Sequence, residues 1–342
     1  MNTFLLTVQG LLTRLQVRRM RLLIQSAFGV FCLYAGFRFY QFYLWAIGAS
    51  PTYVSRPPSV EGFLPISALL GLKQLLYTGQ YDFIHPAGLT ILLTAIVIGL
   101  FFRKGFCGWI CPIGYTSNLA EKTGRRFKIL YRLPVWLDYP LLSLKYILLA
   151  FFLYIIFWKM NLNQIEAFQR SPYNMAADAK MLHFFLEPSR LAGGIMLFLL
   201  LISFIVRNFW CRYLCPYGAF LGLLALASPF QIKRNEKNCI DCRKCEQTCP
   251  ASIRIARHKS MRNGECIGCM ECVEVCPQKE CLTLAGPKGK NVNLFILPTV
   301  VVATYLLFWL IAVATGHWET KVPVEMLQKF YTISAKLAHP DI

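Results

Sequence analysis

Apolar residues gather along this chain into five long stretches separated by more polar connections. A helix that crosses the hydrocarbon core of a bilayer needs about 20 mostly apolar residues, within a range of roughly 17 to 25. Leu22 to Ala49 meets that length, interrupted only by Arg38 and Gln41. Pro86 to Phe102 and Leu191 to Val206 are uncharged, and Leu141 to Trp158 carries the single charge of Lys145 near its start. Leu294 to Thr315 is uncharged throughout, with Pro298 near one end. The pattern predicts five transmembrane helices. Ahead of the first, residues 1–21 set Leu5, Leu6, Leu11, Leu12 and Leu15 among polar positions before Arg18 and Arg19, which suits an amphipathic helix lying at a membrane interface. An unpaired Arg38 within the first span would cost roughly 2.5–3.5 kcal/mol, so it is expected to reach outward or to meet an acidic partner.

Composition agrees with a membrane chain. Of 342 residues, 56% are hydrophobic and only 15% charged, where a soluble domain carries about 25% charged residues. An aromatic content of 14% also excludes a disordered chain. The net charge of +19, from 36 Lys and Arg against 17 Asp and Glu, could by itself indicate nucleic acid or an acidic partner. Its distribution decides. With a cytoplasmic N-terminus, residues 1–21, 103–140 and 207–293 share one side, and with Lys145 they hold 26 of the 36 basic residues at a balance of +17, against +2 elsewhere. The excess of Lys and Arg on the cytoplasmic side of a membrane predicts an inner-membrane protein with the tail, residues 317–342, outside. Basic residues scattered over several loops, with no base-reading motif beside them, exclude a nucleic-acid partner.

The 14 cysteines carry the candidate chemistry. Cys239-x2-Cys242-x2-Cys245-x3-Cys249-Pro250 is followed by Cys266-x2-Cys269-x2-Cys272-x3-Cys276-Pro277. In such duplicated runs three cysteines wrap one [4Fe–4S] cluster, and the fourth, before proline, reaches across to the other. The predicted ligand sets are Cys239, Cys242, Cys245 and Cys276 for one cluster, and Cys266, Cys269, Cys272 and Cys249 for its companion. Zinc does not account for the duplicated spacing, and disulfides do not suit a cytoplasmic loop. Cys281 and Cys32 are left over and read as small packing residues.

A second cysteine system follows two of the spans. Arg103-Lys-Gly-Phe-Cys107-Gly-Trp109-Ile-Cys111-Pro112-Ile-Gly114 and Arg207-Asn-Phe-Trp-Cys211-Arg-Tyr213-Leu-Cys215-Pro216-Tyr-Gly218 match at an offset of 104 residues, an internal repeat whose copies reach the same face in the same direction. Spans one and two would then be related to spans three and four by an axis along the membrane normal. Cysteines four apart share one face of a helix, so two such faces could present four thiolates to a third iron–sulfur cluster. Redox-active thiol pairs, or a transient copper or zinc site, fit Cys107, Cys111, Cys211 and Cys215 as well.

Together these motifs resemble the NapH/NosR-type membrane polyferredoxins. Arg56-Pro-Pro-Ser-Val-Glu61-Gly-Phe-Leu-Pro65-Ile-Ser-Ala and His85-Pro-Ala-Gly-Leu89 are similar to its YccM-like electron-transport subgroup. The resemblance covers nearly the whole chain, which leaves no room for the large flavin domain of NosR-like members. It implies a quinol-linked iron–sulfur electron carrier of a respiratory chain, an oxidoreductase subunit. The expected fold is an all-α polytopic membrane protein with an inserted α+β dicluster ferredoxin domain. Its parts are an N-terminal interfacial segment, 1–21; a four-helix membrane domain, 22–232; the ferredoxin-like domain, 233–290; a fifth transmembrane helix, 291–316; and the tail. A quinone needs hydrogen-bond donors and a proton route. The long outer connections offer Glu61, His85, Asp178 and His183, with Tyr53 nearby. The expected partners are membrane lipid, the quinone pool, and a cytoplasmic ferredoxin, flavodoxin or redox-enzyme subunit drawn by the basic surface. The competing class is an assembly factor that supplies electrons to a metalloenzyme, NosR-like or accessory to a copper oxidase.

Overall fold

The computed structural model describes residues 2–337, with side chains described from Val17 onward. The chain is mostly helical. Helix α1 (Asn2–Ala46) leads through an irregular stretch to α2 (Pro65–Thr78), α3 (Pro86–Phe102), α4 (Pro112–Arg126) and α5 (Val135–Leu153). Three shorter helices follow, α6 (Leu162–Gln169), α7 (Pro172–Met175) and α8 (Ala177–Leu186), then α9 (Arg190–Ile205) and α10 (Pro216–Leu224). Strand β1 (Gln231–Arg234), single-turn helices α11 (Lys244–Thr248) and α12 (Glu271–Glu274), and strand β2 (Leu282–Ala285) form a small module. Helices α13 (Ile296–Ala314) and α14 (Val324–Thr332) complete the described chain.

Prolines and capping residues set many of these boundaries. Proline occupies the first position of α2, α3, α4 and α10, where its missing N–H costs nothing. Gly79, left-handed at φ +71°, ends α2, and a reciprocal Asn161–Gln164 capping box opens α6. The expected break at residue 21 is absent. Helix α1 runs without interruption from Asn2 to Ala46, so the N-terminal segment continues the first span instead of lying apart from it. The side chains of its predicted leucine face lie outside the described residues.

Among the described residues three helices are long and apolar enough to cross a bilayer: Val17–Ala46, Val135–Lys159 and Ile296–Ala314. Helices α8 and α9 meet that test only as a pair bent by 77°, and α3, at 17 residues, is shorter. All 16 residues of α9 escape burial. An apolar helix with Leu191, Phe198 and Leu201 all exposed needs a non-aqueous neighbour. Arg38 is half-buried and makes no ion pair among the described residues, so the expected acidic partner is not found.

The chain divides into two compact units. One takes the chain up to Gly29, Ala95–Leu149 and Leu199–Thr304; the other takes Val30–Thr94, Ala150–Phe198 and the chain from Tyr305. In the first, β1 and β2 pair antiparallel from Gln231↔Ala285 to Arg234↔Leu282, so the sheet clasps the two ends of the cysteine-rich module. The second is built on Phe39, Phe42, Val60, Ile84, Met175 and Tyr331. There the buried Lys73 of α2 donates to the carbonyls of Ile156 (2.9 Å) and Met160 (2.5 Å), satisfying the widened turn Tyr154–Lys159 that ends α5.

Candidate functional site

In the module, both cysteine runs use the same backbone device. The residues on either side of the second cysteine are left-handed in each: Asp241 (φ +48°) and Arg243 (φ +55°), then Gly268 (φ +63°) and Met270 (φ +62°). Such φ values are uncommon outside glycine, and in both runs they curl the chain around a hollow. One cavity is lined by Cys249, Cys266, Cys269 and Cys272 and walled by Ile232, Ile253, Ile255 and Met270. The other is lined by Cys239, Cys242, Cys245 and Cys276. Each cavity thus gathers three cysteines of one run and the pre-proline cysteine of the other. Cys281 lines the second cavity as a fifth thiol, where the sequence suggested only packing.

Among the described residues no three His, Cys, Asp or Glu side chains close on a single ion. The thiols instead stand around hollows, an arrangement that suits a polynuclear group with one corner for each sulfur. Burial pushes Cys245 up to about 11 and Cys249 up to about 12. Such thiols become thiolates when a positive centre compensates them. Four soft donors and an apolar wall therefore fit a [4Fe–4S] cluster in each cavity.

The second cysteine system departs from the expected helical face. Cys107 and Cys211 lie in π-helical turns, Phe106–Ile110 and Trp210–Leu214. Cys111 (φ −61°, ψ 123°) and Cys215 (φ −75°, ψ 105°) are extended, each capping the helix that follows. Pro112 and Pro216 are the cause, because a residue before proline is pushed out of the α region. The two segments still meet, because Ser117, which touches Cys211, lies in the helix that Cys111 opens. Cys211 Sγ lies 3.6 Å from Ser117 Oγ, and Cys215 Sγ accepts from the Gly218 N–H at 3.2 Å. A Cβ on Gly114 would stand 2.4 Å from the Cys107 carbonyl, so glycine is required there.

Both thiol segments pack on the same cysteine cavity. From the first, Trp109 Nε1 donates to the Gly268 carbonyl at 3.1 Å, and Gly108 lies against Ile267. From the second, Arg207 donates to the Cys249 carbonyl (3.2 Å), Asn208 to that of Pro250 (3.0 Å) and Arg212 to that of Ala251. Arg212 is itself held by Asp138 through two bonds, of 3.0 and 2.7 Å. Residues that sequence reasoning missed complete the junction. Glu265, next to Cys266, accepts from Lys145 (2.6 Å) and Tyr146 (2.7 Å), with Lys104 at 3.5 Å. Burial opposes the charge of Glu265, but the two ammonium groups and the Tyr146 hydroxyl prevail and hold its carboxyl down at about 2. The lone Lys145 in an apolar stretch was the available signal, and nothing local marked Glu265 as its partner.

The quinone candidates fall in the second unit. Glu61, His85 and Asp178 come together around Arg56, all of them buried. Arg56 donates to Glu61 Oε1 (2.8 Å) and Asp178 Oδ2 (2.8 Å), and Tyr331 also donates to Asp178 (2.6 Å). His85 Nε2 meets the Asn174 carbonyl at 2.8 Å, and its Nδ1 lies 3.5 Å from Glu61. Arg56, Glu61, Asp178 and Tyr331 satisfy one another, while the buried Nδ1 of His85 has no hydrogen-bond partner among the described residues. His183 stands apart, its Nε2 2.5 Å from the Tyr43 hydroxyl, and Tyr53 packs edge-on against Trp45.

Comparison with known proteins bears on both cysteine systems. A family model described as a 4Fe-4S binding domain matches residues 84–129 and again 191–235, and a 4Fe-4S dicluster domain matches 231–277. The chain is 38% identical to the "Putative electron transport protein YccM" of Escherichia coli over 298 residues, 85% of this chain and 83% of that protein. It is 31% identical to the regulatory protein NosR of Stutzerimonas stutzeri over 46% of this chain and 21% of that one. It is 30% identical to the methylamine utilization ferredoxin-type protein MauN of Paracoccus denitrificans over 48% and 56%. No solved structure matches.

Proposed function

Because the chain belongs to the family of 4Fe-4S ferredoxin-type membrane electron-transport proteins, we propose that it moves electrons between the quinone pool and a redox partner on the cytoplasmic side of the inner membrane. Cys249, Cys266, Cys269 and Cys272 would hold one [4Fe–4S] cluster, and Cys239, Cys242, Cys245 and Cys276 the other. Cys107, Cys111, Cys211 and Cys215 would hold a third iron–sulfur group. When bound, these groups supply one-electron chemistry, and the protein supplies placement and electrostatics.

The observation that carries the reading is the shared docking of the two thiol segments on the Cys249–Cys272 cavity, through Trp109, Arg207, Asn208 and Arg212. It sets the membrane thiols beside one ferredoxin cavity and leaves the other, with its exposed Cys242, for a partner. The module surface carries exposed Lys237, Arg243, Lys244 and Lys279, which suits an acidic ferredoxin or flavodoxin. Five spans fit the partition of the chain, since each of the five boundaries between its two units falls inside one of the five apolar helices. A repeat within the membrane domain is supported by the one family model matching twice. For the quinone, Glu61 and Asp178 are engaged with Arg56, and all three candidates Glu61, His85 and Asp178 are buried. His183, half-exposed beside Phe184 and Phe185 and paired with Tyr43, is the candidate that a lipid-borne ring could reach from outside.

A redox titration of the purified protein followed by EPR tests the reading. Two [4Fe–4S] signals and a third iron–sulfur signal are expected, reduced by a quinol at catalytic rates. Replacing Cys107, Cys111, Cys211 and Cys215 by alanine is expected to remove the third signal alone. Unchanged iron in that variant overturns the third site. Clusters inert to every quinol, in a protein whose loss leaves a client enzyme metal-deficient, replace the carrier with the assembly factor.

A further inference from the structure

The second ferredoxin cavity has one thiol more than a cluster needs. Cys281, 3% exposed, lines it together with Cys239, Cys242, Cys245 and Cys276, whereas the first cavity has four cysteines and no fifth. Its position is tightly determined. It directly precedes β2, its carbonyl accepts from the Asn235 N–H at 2.8 Å, and its Sγ lies 3.8 Å from the Asn235 carbonyl. The clasp of β1 on β2 therefore anchors its backbone beside the hollow. Its thiol borders the same hollow as those of Cys239 and Cys276, which come from opposite ends of the module's sequence. A merely packed cysteine needs no such neighbours, and here the sulfur borders the same empty space as the four expected ligands.

We propose that Cys281 is a reserve ligand of this cavity, able to take the iron corner of Cys239 or Cys276 when either thiolate is lost. The inference rests on the reading of the cavity as a [4Fe–4S] site. Ligand exchange of this kind moves no electrons. The bond from iron to the departing sulfur breaks, a bond to the Cys281 sulfur forms, the incoming thiol releases a proton, and the departing thiolate takes one up. Such a reserve has a use at this cavity, because Cys242 is exposed and the cluster meets solvent and partner there.

The test counts iron and records EPR spectra of the reduced full-length protein. Alanine is used because a serine oxygen could itself bind iron. Cys239→Ala is expected to keep the iron content and both [4Fe–4S] signals of the unsubstituted protein, with one signal shifted. Cys239→Ala/Cys281→Ala is expected to lose one cluster. Cys266→Ala, in the cavity without a fifth thiol, is expected to lose a cluster or convert it to [3Fe–4S] unaided. Equal loss from Cys239→Ala and the double variant overturns the proposal. Where Cys239→Ala fails to accumulate, Cys281→Ala alone decides under ferricyanide challenge. Faster appearance of [3Fe–4S] than in the unsubstituted protein supports the reserve role, and an unchanged rate overturns it. An unsubstituted protein lacking a second [4Fe–4S] signal would instead overturn the cluster reading itself.

Discussion

Replacing Glu265 by glutamine perturbs the junction between the ferredoxin module and the thiol segments at its most charged point. The carboxylate is nearly buried and accepts from Lys145 at 2.6 Å and Tyr146 at 2.7 Å, with Lys104 at 3.5 Å. Two unit charges about 4 Å apart attract by about 4 kcal/mol at an effective dielectric constant of about 20. Removing one partner of a buried pair costs about 3–5 kcal/mol, because the remaining charge is left uncompensated. In Glu265→Gln two lysines remain, repelling each other as well. Glu265 belongs to the module, whereas Lys104 and Lys145 follow α3 and lie in α5, so the cost should fall on docking. Hydrogen–deuterium exchange of the purified protein reads it directly. At about 1.4 kcal/mol per factor of ten, amides around residues 263–270 are expected to exchange at least about a hundredfold faster. Peptides around Arg56 and His85 should be unchanged. Exchange within about threefold of the parent around 263–270 would refute the reasoning, as would equal loosening everywhere.

Other consequences follow from single contacts. Burial works against a charge on His85, but the Glu61 carboxylate beside it prevails and raises its pKa above the ordinary value, with Arg56, Asp178 and Asp82 also facing it. The stability it contributes is complete below the unfolded value of about 6.5 and is lost as pH rises through the higher folded value. The thermal midpoint is therefore expected to fall as pH rises above about 6.5, and His85→Gln should flatten that slope. Gly108→Ala would bring a Cβ to 2.4 Å from the Ile267 carbonyl. Overpacking of that kind costs about 1–3 kcal/mol and should slow electron exchange between module and membrane thiols in freeze-quench EPR, with iron content retained. Arg212→Lys loses the two-pronged grip on Asp138, and a charge-assisted bond is worth about 1.5–3 kcal/mol. Iron–sulfur absorbance should then bleach at a lower temperature.

What the sequence made legible was whatever depends on spacing. The crossed cysteine sets are visible in the x2, x2, x3-Pro rhythm, and the cavities gather those same residues. Apolar length located α13, at Ile296–Ala314 against an expected 294–315, whereas α1 begins at Asn2, well ahead of the expected Leu22. What spacing does not encode is the partner of a charge. Lys145 was visible as an anomaly in an apolar stretch, but its neighbour Glu265 lies 120 positions away in another element. The same holds for Cys281, a leftover in the cysteine arithmetic, which only the pairing of β1 with β2 brings to a cavity. The expected face of cysteines four apart failed for a local reason. Helical periodicity assumes an unbroken helix, and the proline after each second cysteine breaks it.

The two thiol segments show how matching sequences serve an unsymmetrical task. Aligned at their offset of 104 residues, Gly108 stands where Arg212 stands, and Trp109 where Tyr213 does. The module they face is a single object with different sides. The first segment meets Ile267 and Gly268, where backbone approaches backbone; only glycine fits, and an indole N–H can reach the next carbonyl. The second meets Cys249, Pro250 and Ala251, where guanidinium and amide side chains reach the carbonyls. Asp138 and Tyr213 then anchor the arginine. If both segments bind one shared group through Cys107, Cys111, Cys211 and Cys215, the cysteines and prolines must match while the residue after each first cysteine, which meets the module, is free to differ. That is the pattern observed. Exchanging the intervening residues, Gly108→Arg together with Arg212→Gly, should therefore undock the module while leaving all four membrane thiols in place. Loss of module protection in hydrogen exchange, with the third iron–sulfur signal retained, is the expected result. Retention of both would show that the differences between the copies carry no docking information.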